Sequence, residues 1–218
     1  MNLLEKTLSI IKSIIFNFKV LKFNDAIKIP ILISYKIKIK KAYKGCVNIN
    51  CSIRKFGMIR IGLDGSEAIQ GRNGIVYLNK EKNGKIVFNG SASLGEGIVL
   101  FNNSGTTIFG ENFYCNKNCT ISCDYNILFG KNVLIGWNVN VRDSDGHKVY
   151  PKNNKSPNII IGEHVWICSD VNILKGCNIG NDCVISYNSC CIGLDAQEYS
   201  LIGGYPAKFI KRIEKWER

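Results

Sequence analysis

Histidine is nearly absent: the 218 residues hold only His147 and His164, too few in one chain for a metal site of three imidazoles. No run of about 18 apolar residues exists, which excludes a spanning helix. The apolar opening, MNLLEKTLSIIKSIIFNFKVLKF, is broken by Lys6, Lys12, Lys19 and Lys22. The same stretch lacks a small-residue cleavage site and carries Glu5, so it does not read as a secretion signal. A reduced, cytoplasmic chain is expected, in which the ten cysteines form no disulfide framework. The C-x₂-C zinc pattern is missing as well; Cys115, Cys119 and Cys123 recur every four residues. None of the nucleic-acid-binding patterns is present, so nucleic acid is not an expected partner. What remains for a net charge of +12 is attraction to anions such as phosphorylated cofactors or an acidic membrane surface.

The length suits one domain with a sizeable core and a small appendage. Within residues 1–44, Leu and Ile at spacings of three and four predict an amphipathic helix, followed by a basic extended segment. The helix is expected to pack on the main domain; weak peripheral docking on an anionic membrane is the alternative.

What organises the rest is a repeat of six. Ile161, Ile167, Ile173, Ile179, Ile185 and Cys191 fall one every six residues, a period no helix produces. Two residues before each stands another compact side chain: Ile159, Val165, Val171, Cys177, Cys183 and Ser189. Positions i−2 and i mark one face of a short strand. The next residue is often Gly, as at Gly162 and Gly180, which suits a corner. A unit this small buries no face alone, so units must stack around a shared interior, giving a parallel β-helix. The same phase runs through Phe109, Cys115 and Ile121 and, after a slip of two, through Phe129, Ile135 and Val141, with weaker copies at Phe88 and Leu94. The β-helix is placed at 45–200, and five cysteines (Cys115, Cys119, Cys177, Cys183 and Cys191) are read as small interior hydrophobes.

The hexads stop at 142–158. From Val141 to the next regular position, Ile161, is twenty residues, not a multiple of six, and the interruption holds Asp143, Ser144, Asp145, Gly146 and His147. A histidine titrating near neutrality is suited to taking a proton from a hydroxyl. An adjacent aspartate suits orienting it. A solvated turn is the competing reading of these letters alone. His164, in an ordinary corner, is assigned no chemistry.

Three segments carry a resemblance: FYCNKNCTISCDYNILFGKNVLIGWNVNV (113–141), IGEHVWICSDVNILKGCNIG (161–180) and GGYPAKFIKRI (203–213). They are similar to the coils and ending of the hexapeptide-repeat acyltransferases, over roughly residues 85–213, and closest to bacterial sugar and surface-polysaccharide O-acetyltransferases. FNFKVLKFNDAIKIPILIS, near the N-terminus, also resembles the start of the polysaccharide enzymes. The resemblance implies a left-handed β-helix, a homotrimer with sites between subunits, acetyl-CoA as acyl donor, no metal, and a sugar or glycan acceptor. It places the catalytic base at His147, supported by Asp145 or Asp143, with Asn116 as a donor to acceptor or oxyanion. Asp124 would contact the acceptor, and Trp137, expected outward beside the loop, would stack on a sugar ring or fill an interface. Trp166, Ser169, Ser186, Tyr187, Gly204 and Lys208 match the coenzyme A side. Here Tyr187 stands where a small residue is usual, which leaves acyl room only if its side chain points away. Residues 201–218 are expected to be a coenzyme A-side segment with a short C-terminal helix. The resulting expectation is an O-acetyltransferase of a surface polysaccharide, its lipid-linked precursor or a nucleotide sugar. Transfer to an amino sugar, a non-catalytic β-helix scaffold and a zinc carbonic anhydrase-like protein are the alternatives.

Overall fold

The computed structural model describes residues 2–147, 150 and 156–217. Part of the 142–158 loop therefore lies outside the described residues.

Helix α1 (Leu3–Val20) begins with a capping box: Asn2 Oδ1 accepts from Glu5 N–H, and Glu5 Oε2 accepts from Asn2 N–H, both at 2.9 Å. A one-turn helix, α2 (Phe23–Ala26), follows. Everything after it is short strands in three sheets of nine, seven and seven, whose strands recur in strict rotation as the chain winds. Every pairing is parallel except the last. This is the left-handed β-helix of the sequence expectation, a three-sided prism of stacked coils.

The interior is the hexad set. Ile161, Ile167, Ile173, Ile179, Ile185 and Cys191 are all fully buried, as are Val165, Val171 and Cys183. Phe88, Phe109 and Phe129 stack in one column with centroids 5.1 and 5.5 Å apart. The five cysteines assigned to the interior lie there; burial pushes the thiols of Cys177, Cys183 and Cys191 up, and a hydrogen bond with Cys119 together with burial does so for Cys115, so they fill space as hydrophobes. Corners use the left-handed region: Asn112, Asn132, His164, Asp182 and Tyr199 occupy successive levels of one edge with φ of 51–58°. Asn and Asp tolerate that conformation, and His164 takes a place the neighbouring coils give to them.

Three boundaries differ from the sequence expectation. The parallel ladder begins upstream of residue 45, because strand β1 (Ile31–Ile33) pairs with Ile59–Ile61 and β2 (Lys38–Lys40) with Ile75–Leu78. These early coils hide their period behind insertions. Ile59 and its partner Ala92 are 33 residues apart, against 18 between Trp166 and Val184. Most of the excess is a loop at 62–74, and the rest lies mainly in the turn at 79–84. At the other end, the expected C-terminal helix is a strand, Ala207–Arg212, antiparallel to Ser200–Gly204. Edge backbone groups of the last rung need partners, and a returning strand supplies them where a helix would not.

The first rung solves the same problem with side chains. One edge of β1 pairs with the next coil; the other meets α1. Asn17 Nδ2 donates to Ile31 O at 2.7 Å and Asn17 Oδ1 accepts from Ile31 N–H at 3.2 Å. Ser13 Oγ accepts from Ile33 N–H at 2.9 Å, and Ser9 Oγ from Tyr35 N–H at 3.1 Å. Ser9, Ser13 and Asn17 lie on one face at spacings of four, so the helix stands in for a preceding strand. It packs on the domain as expected, through this polar stripe together with the buried Phe16 and Val20.

Candidate active site

The residues singled out in the sequence fall on two different edges of the prism. Six belong to the edge between the nine-stranded sheet and the sheet that contains β2, here the first edge. Asn116 N–H donates to Ile135 O, Gly136 N–H to Ile167 O, Cys168 N–H to Ile185 O and Ser186 N–H to Ile202 O, so these positions stand one above another. Trp137, Ser169, Tyr187 and Gly204 are the next residues at four of these levels. At roughly 4.8 Å per rung the column from Asn116 to Gly203 is about 19 Å long.

Its upper part is narrow by construction. A Cβ on Gly136 would lie 2.5 Å from Ser169 Oγ, and one on Gly203 2.2 Å from Ser186 Oγ. Ser169 Oγ accepts from Trp137 N–H at 3.1 Å, and Ser189 Oγ accepts from Gly204 N–H at 3.2 Å while donating to Ser186 O at 2.7 Å. Tyr187 is 65% exposed, so its ring points away from the packed column. Trp166 faces outward on the nine-stranded sheet with its ring 5.9 Å from that of Trp216. Lys208, opposite Gly203 in the terminal hairpin, is exposed.

Asn116, at the foot of the column, has a fold-related task. Its Oδ1 accepts from Ser66 N–H at 2.8 Å and from Lys117 N–H at 2.9 Å. Asn118 Oδ1 accepts from Arg72 N–H, and Lys117 Nζ donates to Ile69 O. The 62–74 insertion is thereby pinned across this corner. Trp137 lies on this edge too, one corner before the loop and not beside it, because the strand Asn140–Arg142 intervenes.

The second edge carries the loop. Asp143 is fully buried. Its Oδ1 accepts from Asp124 N–H and its Oδ2 from Tyr125 N–H, both at 2.8 Å, with the Cys123 thiol at 3.5 Å. Burial raises its pKa despite the opposing effect of the two amides. Asp143 thus clamps the corner of the coil below it. Asp124 sits half-buried beside it, with Oδ1 accepting from Asn103 Nδ2 at 2.7 Å. Asp145 is ion-paired with Lys175 of the coil above. Gly146 has a φ of +75° and donates its N–H to Ser144 Oγ at 3.1 Å, a tight turn that delivers an exposed His147. Among the described residues, the His147 ring makes no hydrogen bond, and both aspartates nominated to support it are engaged elsewhere.

Lys175 was not singled out in the sequence, because an isolated lysine thirty residues from its partner gives no local signal. His164 lies on the third edge, Nδ1 at 2.8 Å from Asp182 Oδ1 and its ring stacked on Trp216 at 4.1 Å. Trp216 Nε1 donates to His164 O at 2.8 Å, which fastens the end of the chain. The two histidines therefore stand on different edges.

A prism of hexads broken by one histidine-bearing loop, with a narrow corner column beside it, resembles the hexapeptide-repeat acetyltransferases in fold. No protein-family model matches it. The chain is 36% identical over 120 residues to the galactoside O-acetyltransferase of Escherichia coli (strain K12), covering 53% of this chain and 58% of that protein. It is 31% identical over 147 residues to the polysialic acid O-acetyltransferase of Escherichia coli O1:K1 / APEC, covering 65% of this chain and 45% of that protein. It spans less than two thirds of the length of either relative. The crystal structure of the polySia-specific acetyltransferase NeuO superposes with a TM-score of 0.59 at 22% identity, over 87% of this chain and 79% of that one, a likeness of fold.

Proposed function

We propose that the protein is an acetyl-CoA-dependent O-acetyltransferase acting on a hydroxyl of a surface polysaccharide, its lipid-linked precursor or a nucleotide sugar. The observation that carries this reading is the pairing of a loop-borne His147 with a side-chain-poor column on a neighbouring edge. The column suits the thin pantetheine arm of coenzyme A: glycines and serines line it, Tyr187 is turned out, and Lys208 near its end offers charge to phosphate. The names of the two relatives support sugar hydroxyls as acceptors.

When bound, the thioester supplies an activated acetyl group. His147 accepts the proton of the acceptor hydroxyl as its oxygen attacks, and returns it to the departing thiolate. Asp124 accepts from a second acceptor hydroxyl, and Trp137 offers an apolar face to the sugar. Asp143 acts by holding the Asp124 corner, and Asp145 by tying the loop to Lys175.

His147 and the column are separated by the strand Asn140–Arg142 and its two corners. The six residues from Trp137 to Asp143 span up to about 20 Å. The complete site is therefore assigned to an assembly, a homotrimer in this reading, in which the loop of one subunit meets the column of the next. Two cavities of the isolated chain lie elsewhere, one under the terminal hairpin between Leu194 and Arg212 and one beside His164 and Trp216.

The test is acetyl-CoA consumption against a panel of hydroxyl- and amino-sugar glycans with product mapping by mass spectrometry, on wild type and His147→Ala. Acetyl esters and a fall in turnover of about 10² to 10⁴ in the variant are expected. Amide products would move the reaction to nitrogen, and full activity in the variant would remove His147 as the base.

A further inference from the structure

Helix α1 leaves most of its apolar side chains on the face turned away from the core. Its inward face carries Ser9, Ser13 and Asn17, bonded to β1 as above. Phe16 and Val20 join them in the core. The other apolar residues face out: Leu3 is 81% exposed, Leu4 67% and Ile15 63%, with Ile10, Ile11 and Phe18 exposed beside them. At 100° per residue the exposed apolar positions fill an arc of roughly 160°. The one polar residue inside that arc, Thr7, turns its hydroxyl back to Leu3 O at 3.0 Å, so it presents no unmet donor. Phe23 of α2 lies 5.9 Å from Phe18 and extends the patch.

Two further observations say what covers this face. The first is charge: exposed Lys6 and Lys19 border the arc on opposite sides, Lys22 and Lys28 follow immediately, and Lys44 Nζ rests on Phe18 O at the helix end. Lysines flanking an apolar arc keep their ammonium groups at headgroup level while their stems lie along the apolar boundary. The second is direction. Hydrogen bonds between rungs run along the coil axis, and α1 occupies the place of a rung before β1. Its outer face therefore looks along the axis, away from the prism, where side-by-side packing of prisms does not cover it.

We infer that α1 is an interfacial anchor that lays its outer face into the surface of an anionic phospholipid bilayer. No helix among the described residues is long and apolar enough to cross a membrane, so the contact is with one leaflet. The anchor does not depend on the acetyl-transfer reading.

The experiment is flotation of the full chain with vesicles of phosphatidylcholine alone and of phosphatidylcholine mixed with phosphatidylglycerol. Circular dichroism and light-scattering mass are recorded for each protein. Wild type is expected to float with the anionic vesicles, less with the neutral ones, and to be released by salt. Ile11→Glu/Ile15→Glu is expected to weaken flotation at least tenfold, a rough figure for two lost isoleucine burials. Lys6→Gln/Lys19→Gln is expected to weaken only anionic binding, by about fivefold per lysine. Neither pair bonds to β1, so fold and mass should hold. Absence of wild-type flotation, or unchanged flotation of both variants, overturns the anchor. A change in assembly mass in the isoleucine variant without a change in flotation also overturns it, and makes the face a contact between copies.

Discussion

Asp143 separates a structural from a chemical role most sharply. Replacing it with Ala removes a buried acceptor of two 2.8 Å amide bonds from Asp124 and Tyr125. Bonds to a charged acceptor contribute about 1.5–3 kcal/mol each, or about 3–6 kcal/mol together. Desolvation offsets much of this, as the raised pKa of the carboxyl requires. A net loss of about 2–3 kcal/mol follows, and at about 2–4 °C per kcal/mol for a chain of this size the melting temperature should fall by roughly 5–10 °C. The pH dependence carries a definite sign. A carboxyl whose folded pKa lies above its unfolded value favours folding fully below about pH 4, and that contribution is lost as pH rises through the folded value. The advantage of wild type over Asp143→Asn, whose side chain does not titrate, should therefore be largest in acid and shrink toward neutrality. Thermal unfolding of both variants across pH, with turnover measured at a temperature where each is folded, is the assay. An unchanged melting temperature with abolished turnover would refute the clamp and return Asp143 to the chemistry. A wild-type advantage that grows from acid to neutral pH would refute the burial argument.

The remaining predictions are simpler. Asn17→Ala strips the partners from Ile31 N–H and C=O in a fully buried setting and should cost about 2–3 kcal/mol by chemical denaturation; an unchanged midpoint would mean water replaces the side chain. Gly136→Ala forces a Cβ to 2.6 Å from Ser169 N, which the backbone must relieve, so a loss of about 1–3 kcal/mol and a raised KM for the acyl donor are expected in melting and steady-state assays. Asp145→Ala and Lys175→Ala break a part-exposed pair and should change stability by less than about 1 kcal/mol. Both should lower kcat/KM, and by the same factor as the double variant; additive effects would show that the pair does not act as a latch.

The coils were legible wherever the hexad was intact. From Phe109 onward the six-residue positions and five of the interior cysteines follow from the period, because in-and-out alternation is a local property of the chain; Cys123 and Cys190 are buried as well, outside that set. The early coils were not, since insertions such as 62–74 erase the period that marks Ile31, Ile59 and Ala92 as neighbours. FIKRI at 209–213 reads as helix or strand alike, and the open edge of Ser200–Gly204 decides for strand. In the loop, DSDGH suggested a histidine with an aspartate beside it. Yet Asp143 turns to the coil below and Asp145 to Lys175 above, partners that lie one winding away and leave no mark nearby.

By itself, then, the sequence determined the β-helix, its interior and the place where a histidine leaves it, because these follow from residue spacing within one coil. Tertiary structure decided what stands above what. It separated Asn116 and Trp137 from His147 by a whole side of the prism, gave both aspartates other tasks, and turned the apolar face of α1 outward by using its polar face to complete the first rung. Each of these depends on contacts between residues 14 or more apart, and no local period encodes them.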